Sequence, residues 1–141
     1  MPGVKDWIIK ATNDLHAAKK LVKDDDITLD MTAYATQQSA EKALKAYLIF
    51  NQQIVPRTHD LEKLLIECIK YDHIFDQLRA ETKLLSPYAT YTRYPDDRFN
   101  IDRQEAIEAI HCAEKILRFV KNSLEKINIA FAKQNGQIYP I

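Results

Sequence analysis

Glycine is nearly absent, with two in 141 residues. All-β folds need glycine at turns and bulges, and phosphate-cradling loops need it for close backbone approach, so both lose their basis. Neither G-x-x-x-x-G-K-[ST] nor G-x-G-x-x-G occurs. Cysteine is equally scarce. Cys68 and Cys112 have no CxxC or Cys/His spacing, which leaves two packed, reduced thiols as the expectation. Charge of one sign is not in excess either: Lys plus Arg number 20 and Asp plus Glu number 20. That balance gives no chain-wide reason to expect a nucleic-acid partner, and leaves open a local basic face. Apolar runs are short, such as Leu48–Phe50, so no membrane span is expected. The opening residues MPGVKDWIIK set charge beside a brief apolar pair and do not read as a signal peptide. The expected location is cytoplasmic.

What is present is helical periodicity. Apolar residues make up 46% and charged residues 28%, an ordinary globular balance. Val4, Trp7, Ile8, Ala11, Leu15, Ala18 and Leu21 recur at three- and four-residue steps and predict a first helix over Val4–Lys23. Thr28 or Asp30 is suited to cap the next helix, which runs to about Asn51 and is rich in alanine, with Gln37 inside its apolar stripe. A third helix is expected near Thr58, with Thr58 as its cap and Asp60 in the first turn. Asp72 is placed to cap a shorter fourth helix, closed near Ser86-Pro87.

The last helix has the strongest signal. Asp102 and Glu105 resemble a capping box. Behind them Ala106, Ile110, Ala113, Leu117, Val120, Leu124 and Ile127 alternate steps of four and three, the seam of near-parallel helix packing. Ile107, Ile116 and Phe119 widen that seam, which suggests a second face for a partner and hence a homodimer. The expected fold is all-α, an up-down bundle of four to five helices over residues 1–127. Residues 128–141 form a C-terminal tail whose apolar residues suit docking on the bundle or on another chain.

Three groups of residues are candidates for function. His59 with Asp60 places an imidazole and a carboxylate at a helix start, suited to hold a phosphate or a partner or to act as acid or base, or simply to hydrogen-bond a neighbouring loop. The stretch YATYTRYPDD, Tyr88–Asp97, spaces tyrosines every third residue. Tyr91, Arg93 and Tyr94 there would stack a base and grip a phosphate, or form the rim of a protein interface. Alternatively, Arg93 pairs with Asp96 or Asp97 and fastens the loop. His111 and Cys112 lie on the last helix, where packing and chemistry both remain open. His16 and His73 lack partners at ligand spacing, so no metal site is expected, and nothing in the chain calls for a cofactor.

Four segments together carry a family resemblance: ATQQSAEKALKAYLI from Ala35, VPRTHDLEKLL from Val55, TRYPD from Thr92 and EAIEAIHCAEKILRFV from Glu105. In that order they resemble the HEPN domain family, the higher eukaryotes and prokaryotes nucleotide-binding domain. Gln38–Lys45 and Thr58–Leu61 are the most specific pieces. The resemblance implies a helical bundle, usually a homodimer, often paired with a small nucleotidyltransferase in a toxin–antitoxin-like arrangement. Some members are metal-independent ribonucleases that carry an arginine followed, after four to six residues, by a histidine. Here Arg103 and His111 are separated by seven residues, which sets their side chains about 80° apart around a helix. Arg93-Tyr94-Pro95 matches the R-Y-P piece that relatives of these segments often have instead. The resemblance therefore implies a non-catalytic module that binds a partner and a nucleotide. A ribonuclease with a displaced site at Arg103 and His111 is one alternative, and a stand-alone nucleotide-binding module is another.

Overall fold

The apolar stripes resolve into five α-helices in the computed structural model, which describes residues 2–24, 28–52, 54–90 and 100–135. No strand occurs among the described residues, and the architecture is the all-α helical bundle that the periodicity predicts. Helix α1 spans Val4–Leu21 and buries Ile8, Ala11, Leu15 and Ala18. The Gly3 N–H at its start donates to the Asp6 carboxylate at 2.9 Å. Helix α2 spans Leu29–Gln52 and lies at the centre, touching every other α-helix. Its alanines set the spacing. Ala40, Ala43 and Ala46, with Ala11 and Ala18 of α1, are fully buried, and methyl groups let two helix axes approach closely. The Ser39 hydroxyl crosses that contact and donates to the Ala11 carbonyl at 2.8 Å.

Thr28, just before α2, reaches back to α1. Its hydroxyl donates to the Leu21 carbonyl at 2.8 Å, tying the end of α1 to the start of α2. Asp30 sits in the first turn of α2, where a carboxylate suits the helix dipole. After α2, residues 54–60 carry the chain back along it. Helix α3 (Leu61–Tyr71) then runs obliquely in the direction of α2, with Cys68 beside the Leu44 carbonyl. The predicted cap at Thr58 falls two residues early. The Asp60 carboxylate caps α3, accepting from the N–H groups of Glu62 and Lys63 at 3.0 and 3.3 Å. Thr58 instead accepts the Asp60 N–H at 3.1 Å, a turn that aims the cap.

Asp72 caps the next segment as expected, accepting from the Ile74 N–H at 3.1 Å. That segment is a 3₁₀ turn, His73–Leu78, which leads into α4 (Arg79–Leu85) and a second 3₁₀ turn, Ser86–Ala89. Phe75 is fully buried between Tyr47 of α2, with ring centroids 4.2 Å apart, and Phe119 of the last helix, at 4.9 Å edge-on.

Helix α5 spans Arg103–Asn135 and begins with the predicted capping box. The Glu105 N–H donates to Asp102 at 2.7 Å, and the Asp102 N–H donates to Glu105 at 3.3 Å. Ile101 and Ala106 meet Leu29 and Ala33, so α5 starts beside the start of α2 and runs parallel to it. Its seam from Ala106 to Leu124 is at most 6% exposed at every expected position. Ile116 is also fully buried and Phe119 packs edge-on against Phe75, while Ile107 and Phe119 stay half-buried.

Candidate functional site

Three polar residues interrupt the buried side of α2 at four-residue steps: Gln37, Glu41 and Lys45. Such spacing stacks them on one face. They are 0%, 4% and 5% exposed. A charged pair so deeply buried needs partners, and it has them. Lys45 Nζ lies 3.0 Å from Glu41 Oε2, and its ammonium sits 5.9 Å from the centroid of the Trp7 ring. Gln37 Nε2 donates to Glu41 Oε1 at 3.3 Å and to the His59 carbonyl at 3.1 Å.

His59 closes the network from outside. Its Nδ1 is 3.0 and 3.1 Å from the two Glu41 oxygens. A carboxylate is an acceptor, so Nδ1 carries the proton and Nε2 is left for whatever approaches from solvent. The ring itself is 75% exposed, while Glu41 beneath it is 5% exposed. The bond to Glu41, rather than burial, therefore sets its orientation. The two most specific segments of the resemblance, Gln38–Lys45 and Thr58–Leu61, thus meet at one contact. Sequence reading singled out His59 and Asp60 but not Glu41, Lys45 or Gln37 as their support.

His59 and Asp60 line a cavity of about 550 Å³ with Glu62, Lys83, Ser86 and Thr90. It gathers an imidazole, two carboxylates, an ammonium and two hydroxyls. Charges of both signs line it, so it creates no strong positive field for a polyphosphate. The Asp60 oxygen that caps α3 also occupies the N–H groups that would otherwise greet an anion.

Arg103 and His111 do not join this cavity. Arg103 donates to the carbonyls of Val22 and Asp24, the latter at 2.9 Å, and ties the start of α5 to the end of α1. His111 is 72% exposed, with Nδ1 3.9 Å from Glu114 Oε1. Tyr91, Arg93, Tyr94, Asp96 and Asp97 lie outside the described residues. Tyr88 packs against the core, and burial raises its phenol pKa. Cys68 and Cys112 are both free. Burial pushes both thiols up, most strongly Cys68, which makes them poor nucleophiles. Among the described residues no three His, Cys, Asp or Glu side chains gather to hold a metal, and no helix is long and apolar enough to cross a membrane.

Two solved structures share this architecture. TT1696 from Thermus thermophilus is 30% identical with a TM-score of 0.75, over 86% of this chain and 98% of its own. ST0689, an archaeal HEPN homologue, is 30% identical with a TM-score of 0.69, over 87% and 98%. No curated protein matches the sequence. The HEPN domain profile matches residues 4–123, from the first turn of α1 far into α5, including both segments that meet at Glu41 and His59. By that match and by the shared bundle, the chain belongs to the HEPN domain family.

Proposed function

We propose that this HEPN domain is a non-catalytic binding module of the cytoplasm. In this reading it works as a homodimer beside a nucleotidyltransferase partner, as one half of a toxin–antitoxin-like pair, and holds a nucleotide. The observation that carries the reading is the engagement of Arg103. Its guanidinium is bonded to two backbone carbonyls at the α1–α5 junction, while His111 faces solvent from the same helix. An arginine that fastens the fold is poorly placed to stabilise a cleaving phosphate. The mixed charges around His59 likewise suit a polar protein surface better than a bare phosphate chain. The homodimer and the nucleotidyltransferase rest on the family. Co-purification from the native host with mass spectrometry tests the reading. A nucleotidyltransferase is expected among the recovered proteins, and its absence would defeat the partner claim.

One observation favours a second reading, metal-independent ribonuclease. His59 has the arrangement of a general base, with a buried carboxylate orienting Nδ1 and Nε2 left open. Incubation with structured and single-stranded RNA separates the two readings. Cleavage lost in His59→Ala, or in Arg103→Ala with His111→Ala, would overturn the binding-module proposal. For the stand-alone nucleotide-binding alternative, a thermal shift with nucleotides in the absence of any partner is the readout.

A further inference from the structure

A second cavity lies away from His59, in the groove between the start of α1 and the middle of α2. It measures about 600 Å³ and is lined by Pro2, Asp6, Trp7, Lys10 and Lys42. That is within the range of roughly 300–1,000 Å³ typical of small-ligand sites. Its wall is mainly apolar: a proline, an indole and the methylene stems of two lysines.

The polar groups at this cavity are unevenly satisfied. Asp6 accepts the Gly3 N–H, and Asp14 accepts from Lys42. The charge of Lys45, against the Trp7 ring, is matched by Glu41. Lys10 has no ion-pair partner among the described residues. The Trp7 indole N–H is buried with no acceptor among the described residues, an uncommon state for a native donor, but it is closed off from the cavity. Lys10 is therefore the donor left to meet a ligand. The Asp6 carboxylate, which caps the start of α1 and also lines the cavity, offsets the positive helix end, so the free positive charge is that of Lys10. What such a site lacks is a flat apolar body carrying an acceptor.

We propose that the Trp7–Lys10–Lys42 cavity binds a small aromatic anion, an arene bearing a carboxylate, sulfonate or phosphate. The ring lies against Trp7 and the proline, and the anionic group meets Lys10 at the rim. This site is separate from the His59 cavity and does not depend on the partner reading above.

Trp7 is the sole tryptophan of the chain, so its fluorescence follows binding without interference, and the Lys10→Glu and Lys63→Glu variants assign that binding to a cavity. The full chain is titrated with anilinonaphthalene sulfonate, with the neutral analogue N-phenylnaphthylamine, and with AMP and adenosine as a second charged and neutral pair. The expected result is saturable quenching of Trp7 by the sulfonate, about tenfold tighter than by the neutral analogue, and about tenfold weakened in Lys10→Glu. Lys63→Glu, on α3, serves as the charge-matched control and is expected to leave the titration unchanged. AMP binding without adenosine binding would identify a nucleotide phosphate as the anion. Sulfonate binding with AMP inert would identify a simple arene acid. Equal binding of charged and neutral probes, an unaffected Lys10→Glu, an equal loss in Lys63→Glu, or dye fluorescence without Trp7 quenching would each overturn the proposal.

Discussion

Replacing Glu41 with glutamine keeps the size of the side chain and removes its charge. Glu41 and Lys45 side chains are 5% and 7% exposed, so neither can trade its partner for water. Breaking a buried pair from one side leaves the other charge uncompensated, which costs about 3–5 kcal/mol. A domain of this size has on the order of 5–15 kcal/mol in total, so Glu41→Gln is expected to lower the melting temperature by roughly 10 °C. Lys45→Met should cost a similar amount, because it strands the carboxylate. The double variant removes both charges and should recover most of the loss, since an apolar replacement of a buried pair is often near neutral. Urea denaturation of the four proteins gives the coupling energy, expected at about 2 kcal/mol or more. A Glu41→Gln cost under about 1 kcal/mol would mean that the pair behaves like a surface pair. A double variant that loses the full sum would mean that the two charges do not interact. Either result refutes the network as the support of His59.

Asp60→Ala should destabilise the protein by about 1 kcal/mol through loss of the α3 cap, and Thr58→Ala by less, as read from denaturation midpoints. Phe75→Ala removes contacts to both α2 and α5 and should cost about 3–5 kcal/mol; a loss no larger than that of a surface substitution would contradict its place between Tyr47 and Phe119. Burial, aided by the Asp72 charge, pushes the Tyr47 phenol up to about 12. The folded state therefore favours the protonated form, and this contribution is complete below about pH 10 and lost as pH rises through the folded value. Tyr47→Phe should flatten that alkaline fall in unfolding titrations, and an unchanged slope would count against it.

The parts of the molecule legible in the sequence are those governed by local period. The α5 seam and its capping box needed only residues a few positions apart, and so did the Asp72 cap. The α3 cap was misplaced because Thr58 and Asp60 both satisfy the same local rule. Only the turn that bonds one to the other decides between them. The role of Phe119 also escaped local reading, because the ring that covers it, Phe75, lies in a 3₁₀ turn with no strong period. The candidate site was half visible. His59 and Asp60 stand out by residue type, and Gln37 is conspicuous in an apolar stripe. Their union with Glu41 and Lys45 depends on residues 54–60 folding back along α2, a tertiary event that no spacing announces.

The alanine-lined contact between α1 and α2 has a kinetic consequence. Two long helices held at close range, with Ser39 bonded across them, should form the slowest-exchanging block of amide protons. Helix α4 is only seven residues long, but Phe75, Leu78, Thr82 and Leu85 root it and the turn before it in the core, so it should open only together with its contacts to α2 and α5. The wall of the His59 cavity that carries Lys83 and Ser86 belongs to this rooted stretch. The shape of that cavity is therefore tied to the packing of the bundle beneath it.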